Sequence, residues 1–299
     1  MGRLRISIVE FLNTAPLVWS FTDGPLAGRY DLSFTVPSQC AEELRSGAAD
    51  IAIIPAIEYQ RMDGVVALPG MAVAAKGEVR SILVVAKKPI EMARRVALDT
   101  SSRSSIALVQ LLCRNFWGIS PEFIRCAPDP AAMLAQADAA LIIGDPALRI
   151  ALKLEQFSRK KPTAGFCCGN NPDDQVVPGV DSLYVYDVAH QWREMTARPC
   201  VLALWVARAE AATPEVVDDF LASKEYGLDH IRDIAEGASL KLDLPAPALE
   251  RYLRDNIDFS LDEDNVAGLN LYYQLCAQAG LIFVARPLEF APAGRAVSR

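Results

Sequence analysis

Short apolar runs that lead directly into the start of a helix recur along this chain. This alternation of predicted strands and helices restricts the possible folds more than any other feature. Residues 4–9 form the first such run, and the turn after it at residues 13–16, Asn-Thr-Ala-Pro, is typical of the start of a helix. Residues 51–54 and 96–98 lead into turns of the same kind. Because strands that alternate with helices form mostly parallel sheets covered by helices, the sequence predicts an α/β fold.

The alternation occurs in two successive series, which predicts two αβ lobes that face each other across a cleft. The expected first lobe is discontinuous, with residues 1–86 and 202–299, and the second lobe contains residues 87–201. Pro, Gly and Asn crowd residues 157–182, so we expect a long surface loop there. The 299 residues are enough for two such lobes with sizeable cores.

The charge balance and the hydropathy pattern exclude several classes of partner. Lys and Arg total 30 against 37 Asp and Glu, and the net charge of −7 argues against nucleic acid or an anionic membrane as a partner. No apolar segment reaches the ~18 residues that a membrane helix needs. The first apolar run ends at Glu10, too early for a secretory signal, so we expect a cytoplasmic protein.

The cysteines and histidines predict neither a disulfide framework nor a metal site. The seven cysteines are irregularly spaced without a Cys-x-x-Cys motif, which favours reduced thiols. The neighbours Cys167 and Cys168 could bind a soft metal, but the chain has only two histidines, His190 and His230, and these share no ligand spacing. The sequence also lacks a Gly-rich phosphate loop, a dinucleotide fingerprint and a nucleophile elbow. We therefore expect a function without metal or cofactor.

Polar residues at the predicted turns are candidates for an anion-binding site. A helix N-terminus presents free backbone N–H groups and the positive end of the helix dipole, and both stabilise an anion. Residues 100–105 place five hydroxyls and Arg103 at one helix start, more than a single cap requires. Together these groups would form a good carboxylate receptor. The alternative is an ordinary polar helix start with Arg103 exposed.

Three other turn residues have both a functional and a structural interpretation. Asn13 can donate to a substrate oxygen or satisfy its own turn. Ser81 can bind a ligand where the lobes join, or it can belong to an ordinary loop. Asp145 is the natural N-cap of the helix that follows it, although it can also contact a substrate hydroxyl. The residues alone leave these alternatives open.

In these turns the chain resembles the chorismate dehydratase family of the futalosine menaquinone pathway. The matching segments run in order through nearly the whole chain and are residues 11–17, 36–38, 50–59, 77–81, 98–105, 143–148 and 186–205. The chain departs from the family pattern at Phe11, where Tyr is common, at Ala197-Arg198, where Gly-Leu is more usual, and in its longer loop at 157–182.

The resemblance implies a fold and a reaction. The fold is that of type 2 periplasmic binding proteins, with two αβ lobes around a central cleft. The reaction is the cofactor-independent dehydration of chorismate, a small dicarboxylate, to 3-(1-carboxyvinyloxy)benzoate early in menaquinone biosynthesis. Aromatisation of the ring makes this reaction strongly downhill, so it needs help mainly with proton removal and with departure of the hydroxyl.

Residue roles follow from the resemblance as a hypothesis. Asn13 and Ser81 are the expected catalytic residues and orient the enolpyruvyl group or the leaving hydroxyl. No protein base is evident in the motifs, so the expected base is the enolpyruvyl carboxylate of the substrate. The residues expected to bind the substrate are Thr14, Ser38, Thr100, Ser101, Ser102, Arg103 and Asp145, of which residues 100–103 grip a carboxylate.

Two other functions are compatible with the same fold. A solute-binding or sensor protein would bind a small anion without chemistry. The sister family makes 1,4-dihydroxy-6-naphthoate, but its opening motif resembles Ser-Pro-Cys-Pro-Asn-Asp, whereas Asn13-Thr14-Ala15-Pro16 stands here. That difference favours the dehydratase.

Overall fold

The computed structural model describes residues 2–160 and 183–292. Its strands are β1 Arg5–Val9, β2 Asp31–Thr35, β3 Ile51–Pro55, β4 Val65–Ala75, β5 Ile82–Ala86, β6 Arg95–Asp99, β7 Glu122–Cys126, β8 Ala139–Ile143, β9 Tyr184–Asp187 and β10 Cys200–Arg208. Its α-helices are α1 Ala15–Thr22, α2 Pro37–Ser46, α3 Ala56–Tyr59, α4 Arg103–Asn115, α5 Pro130–Gln136, α6 Gly144–Lys160, α7 Val188–Thr196, α8 Pro214–Asp229, α9 Ile231–Leu242, α10 Ala246–Arg251 and α11 Glu263–Gln278.

The strands form two five-stranded sheets of the same design. The first has the order β2-β1-β3-β10-β4 and the second the order β7-β6-β8-β5-β9. In each sheet three strands run parallel, and one antiparallel strand joins them to the far edge: β10 in the first sheet and β5 in the second. We call each sheet with the helices that follow its strands a lobe, so the expectation of two αβ lobes is confirmed.

Burial along the strands explains why the sequence forms covered sheets. Every residue of β3 and of β8 is buried, as expected for central parallel strands with helices on both faces. The edge strand β2 is instead half-buried or exposed throughout. The main apolar core contains side chains from both sheets, such as Ile53 and Leu141, so the lobes pack on each other as well as internally.

Pairing of the strands differs from the predicted lobe boundary at one element. The apolar run of β5 pairs with β8 and β9 in the second sheet, although the predicted first segment extends to residue 86. An apolar run does not by itself specify which sheet it joins, because either core would bury it. The chain therefore crosses between the sheets near Val79–Ser81 and returns before Cys200. The division of the chain into two folding domains stays a prediction.

The predicted loop at 157–182 falls mostly outside the described residues. Helix α6 extends to Lys160, so the first four residues of the predicted loop are helical. Residues 161–182, with Cys167 and Cys168, are not described. No helix in the described ranges is long and apolar enough to cross a membrane.

Candidate active site

A cavity lies between the two lobes, at the carboxyl ends of β1, β3 and β8. Ligands of open α/β sheets bind at such ends. Apolar residues and one glycine form most of the wall. The polar side chains in the wall are Asn13, Thr14, Ser81, Ser102 and Ser105. Four of these five residues belong to the predicted site, and the arrangement of few polar groups in an apolar wall is typical of small-molecule sites.

The turn after β1 places Asn13 in the cavity wall. After β1 the chain makes a 3₁₀ turn at Leu12–Thr14, and Pro16 then lies in the first turn of α1. The hydroxyl of Thr14 is 2.8 Å from the carbonyl oxygen of Val9 and 2.9 Å from that of Phe11, so it fixes the turn rather than capping α1. Thr14 is thus buried and committed to the backbone, whereas Asn13 is half-buried in the cavity wall.

Ser81 is held rigidly where the chain crosses between the sheets. Arg80, just before it, has a φ of 61°, a left-handed conformation that is uncommon outside glycine. The Asp187 carboxylate accepts hydrogen bonds from the backbone N–H of Val79 at 3.1 Å and of Arg80 at 2.6 Å. Ser81 itself is 1% exposed, and its carbonyl accepts from the N–H of Gly144 at 2.7 Å.

Asp187 is a buried carboxyl with four backbone donors. Besides the two N–H groups at the crossing, it accepts from Ala189 and His190, both at 3.1 Å, and so caps α7. Burial raises the pKa of Asp187 to about 6, and the backbone hydrogen bonds oppose this rise. One side chain therefore joins the crossing segment to α7.

The start of α4 forms one side of the cavity. Ser102 is the N-cap, and its hydroxyl oxygen lies 3.0 Å from that of Ser105 and 3.5 Å from the Ser105 N–H. Both side chains are almost fully buried and line the cavity. Because both serines lie at the start of this 13-residue helix, the positive end of its dipole lies at the cavity that Asn13 and Ser81 also line.

Tyr252 is a buried neighbour of Ser81 and Asn13 that the sequence did not indicate. It begins a π-helical turn, Tyr252–Asn256, after α10 and is 1% exposed. Its hydroxyl interacts with the side chains of Ser81 and Asn13; burial raises the pKa of Tyr252, and these two interactions oppose the rise. Turns of this kind occur frequently at functional sites. A tyrosine in an amphipathic segment far along the chain resembles an ordinary core residue, so only the three-dimensional arrangement identifies it.

Three of the four residues expected to grip a carboxylate do not line the cavity. The Thr100 side chain is exposed and donates to the carbonyl of Cys126 at 3.2 Å. Ser101 donates from both its hydroxyl and its N–H to the buried Asp99 carboxylate. Arg103 forms ion pairs with Glu58 at 2.8 Å and with Glu42 at 2.6 Å. Successive residues at a helix start point in different directions, so only Ser102 and, three residues later, Ser105 face the cavity.

Ser38 and Asp145 also lie outside the cavity wall, and both connect the lobes. The N–H of Ser38 donates to the carbonyl of Ser101 at 2.9 Å. Asp145 accepts from the N–H of Leu12 at 3.1 Å, and burial raises the pKa of its carboxyl against the effect of that bond. Their expected contacts with substrate stay predictions, while their observed contacts fix the relative position of the lobes.

Gly144 is required in the cavity wall because the Phe11 ring lies directly against it. It has a φ of 66°, and a Cβ on it would lie 2.6 Å from the ring of Phe11. The aromatic ring therefore packs directly on the backbone of the second lobe. Within the described residues, no group of three His, Cys, Asp or Glu side chains is arranged to hold a metal ion.

Comparison with known proteins places the chain in a family. A family model described as menaquinone biosynthesis matches residues 4–278. The chain belongs to this family. Within curated proteins it is similar to a chorismate dehydratase from Thermus thermophilus, with 27% identity over 239 residues that cover 79% of this chain and 83% of the relative. The predicted resemblance is thus confirmed at the level of the family.

Solved structures confirm the predicted fold. A protein from Archaeoglobus fulgidus superimposes with a TM-score of 0.68 at 17% identity, covering 93% of this chain and 98% of the other. The periplasmic aliphatic sulphonate binding protein of Escherichia coli has a TM-score of 0.59 at 16% identity, with coverage of 97% and 94%. This member of the menaquinone biosynthesis family therefore has a periplasmic-binding-protein fold.

Proposed function

We propose that this protein catalyses the dehydration of chorismate to 3-(1-carboxyvinyloxy)benzoate. The family and the relative from Thermus thermophilus support a step of menaquinone biosynthesis. The observation that carries the proposal is the convergence of Asn13, Ser81 and the α4 N-terminus on one apolar cavity. Such a cavity suits a ring that carries a carboxylate at one end and a hydroxyl beside an ether at the other.

The α4 N-terminus takes one of the two substrate carboxylates in this proposal. Backbone N–H groups in the first turn, together with the hydroxyls of Ser102 and Ser105, supply donors to the anion. The apolar wall excludes water and strengthens these interactions. Asn13 and Ser81 are then placed to donate to the departing hydroxyl, where negative charge develops.

The composition of the wall supports a substrate carboxylate as the base. The cavity wall, as far as the structure describes it, contains no Asp, Glu, His, Lys or Cys side chain. To form the aromatic product, the ring carbon that bears the ether loses its proton and the neighbouring carbon loses its hydroxyl. The enolpyruvyl carboxylate is attached through that same ether oxygen and accepts the proton. The bond between the neighbouring ring carbon and its hydroxyl then breaks, and the hydroxyl takes up the proton and leaves as water.

Turnover of purified protein with chorismate tests the proposal. We expect loss of the cyclohexadiene absorbance with appearance of the benzoate, identified by chromatography against a standard. Asn13→Ala and Ser81→Ala each should reduce turnover at least tenfold, because each removes a donor to the leaving group. Ser46→Ala, at the exposed end of α2, is the matched control and should keep full activity.

Two outcomes would favour the other functions. Saturable binding of chorismate without any aromatic product would indicate a solute-binding protein. Conversion of a cyclic futalosine substrate, with chorismate unchanged, would indicate a naphthoate synthase. Full turnover in both Asn13→Ala and Ser81→Ala would show that these residues do not act on the reacting atoms.

A further inference from the structure

One fully buried carboxylate at the lobe junction is surrounded by arginines from both lobes. Glu58 of α3 has no exposed side-chain surface and pairs with Arg45, with Arg61 at 2.8 Å and with Arg103 at 2.8 Å. Glu42 of α2 pairs with Arg103 at 2.6 Å and with Arg45 at 2.7 Å. We call these five residues the Glu58 cluster.

Arg103 belongs to the second lobe, whereas the other arginines of the Glu58 cluster belong to the first. Arg45 lies on α2, and Arg61 follows α3, so both belong to the first lobe with Glu58. Arg103 is the first residue of α4 in the second lobe. A buried carboxylate needs charged partners, and Arg45 and Arg61 already supply two within its own lobe. What Arg103 adds is a charged connection between the lobes.

Hydrogen bonds reinforce the same junction. The N–H of Ser38, in the first turn of α2, donates to the carbonyl of Ser101 at 2.9 Å. The N–H of Ile57, in the first turn of α3, donates to the buried hydroxyl of Ser104 at 3.1 Å. First-turn N–H groups have no partner within their own helix. Two helices of the first lobe therefore use first-turn N–H groups to donate hydrogen bonds to Ser101 and Ser104 of the second lobe.

The residues fixed by this junction alternate with those of the cavity. Ser101, Arg103 and Ser104 bond to neighbours outside the cavity, whereas Ser102 and Ser105 line it. Any movement of the junction therefore moves the two serines with it. The position of the α4 N-terminus relative to Asn13 depends on contacts that involve no ligand.

We propose that Arg103 is a positioning residue that, through Glu58 and Glu42, holds the lobes together before substrate binds and so pre-assembles the anion site opposite Asn13. This inference rests on the proposed function of the cavity. Its consequence is that substrate does not have to drive the lobes together with its own binding energy. The measured affinity then depends on the fraction of molecules in the assembled arrangement.

Arg103→Ala and Arg45→Ala are a matched pair of variants for this proposal. Both arginines pair with Glu58 and Glu42, and their side chains are 33% and 35% exposed. Each variant leaves Glu58 two arginines, so both should fold, which thermal unfolding will verify. Of the two variants, only Arg103→Ala removes a charged connection between the lobes.

Amide hydrogen exchange of Ser38 and Ile57, resolved by NMR in protein without ligand, reads the junction directly. We expect both amides to be protected in the natural protein and in Arg45→Ala, and to exchange at least tenfold faster in Arg103→Ala. We also expect Arg103→Ala to raise the KM for chorismate about tenfold with little change in kcat, as when the assembled fraction falls to about one tenth. Arg103→Lys should restore part of the amide protection and part of the affinity for chorismate, since lysine keeps the charge but lacks the planar guanidinium that binds two carboxylates at once.

The two readouts separate this inference from the proposed function. Equal protection in Arg103→Ala and the natural protein, or equal loss in Arg45→Ala, would overturn the positioning role. So would a fall in kcat with KM unchanged. If the natural protein fails to convert chorismate, the proposed function fails, and the exchange contrast between the two variants still decides whether Arg103 holds the lobes together.

Discussion

Tyr252 shows how a residue remote in the chain can lie beside the residues of the turns. Its hydroxyl interacts with both Ser81 and Asn13, the two side chains expected to act on the leaving group. Those side chains come from the lobe crossing and from the first turn, so the phenol joins two separate segments. In the proposed reaction the short side chains of Ser81 and Asn13 must be oriented toward the leaving group, and we expect Tyr252 to help orient them.

Removal of the Tyr252 hydroxyl should reduce catalysis while leaving the fold intact. A hydrogen bond contributes about 0.5–1.5 kcal/mol, so Tyr252→Phe should lower kcat/KM about two- to tenfold. Steady-state assays with chorismate measure this change. Tyr30→Phe is the control, because Tyr30 is also buried and bonded, but its partner is Asp219 rather than Ser81 or Asn13. Unchanged kcat/KM in Tyr252→Phe would show that the Tyr252 hydroxyl does not orient Ser81 or Asn13.

The sequence predicted the cavity residues better than it predicted their partners. Asn13, Ser81 and Ser102 could be chosen because a strand-to-helix turn places polar residues at the same edge of a sheet. The pairing of Arg103 with Glu58 was not predictable, since the two are 45 residues apart and only the packing of the lobes brings them together. Tyr252 carried no local signal at all.

Helix α4 combines a structural and a functional role in its first turn. Ser102 caps the helix, and the same hydroxyl lies in the cavity wall beside Ser105. Helix α8 instead shows capping alone, because the Thr213 hydroxyl accepts from the N–H of Val216 and does not line the cavity. At the element scale, the sequence interpretation assigned strand β5 to the first lobe, but the strand pairs in the second sheet. Its apolar composition predicts that it is buried but not which sheet it joins.

A comparison of two caps separates the roles of Ser102. Loss of an N-cap costs about 0.5–2 kcal/mol, so Ser102→Ala and Thr213→Ala should lower the free energy of unfolding by similar amounts in urea titrations. Only Ser102→Ala should also weaken substrate binding, seen as a higher KM, because only this hydroxyl faces the cavity. If the two variants share the same KM, Ser102 acts as a cap and nothing more.

At the scale of the whole molecule, the lobes are joined by chain crossings and by contacts across the cleft. Asp187 fixes the first crossing by accepting from Val79 and Arg80. The Leu12–Asp145 bond and the Glu58 cluster hold the lobes together at separate places. The sequence predicted two lobes and a cleft, and the comparisons confirm that fold. The contacts that set the distance between the lobes depended on pairings that no local pattern encodes.

Ionisation of Asp187 should make the stability of the molecule depend on pH. Its pKa is about 6 in the folded protein against 3.8 ordinarily, so the folded state holds this proton more tightly than the unfolded state. The resulting stabilisation is complete below about pH 4 and is lost as pH rises to about 6, a change of about 3 kcal/mol. Urea unfolding of the natural protein and Asp187→Asn should therefore give a stability difference that falls over this range and is level above it. A difference that stays constant from pH 4 to 7 would contradict this account.

The crystal structure of this protein with bound 3-(1-carboxyvinyloxy)benzoate tests the central claim most directly. We expect the benzoate between the lobes, with a carboxylate within hydrogen-bonding distance of the α4 N-terminus and of Ser102 or Ser105, and with Asn13 and Ser81 beside the ring carbon that lost its hydroxyl. Product bound elsewhere on the molecule, with the cavity between Asn13 and Ser102 empty at saturating concentration, would contradict the account.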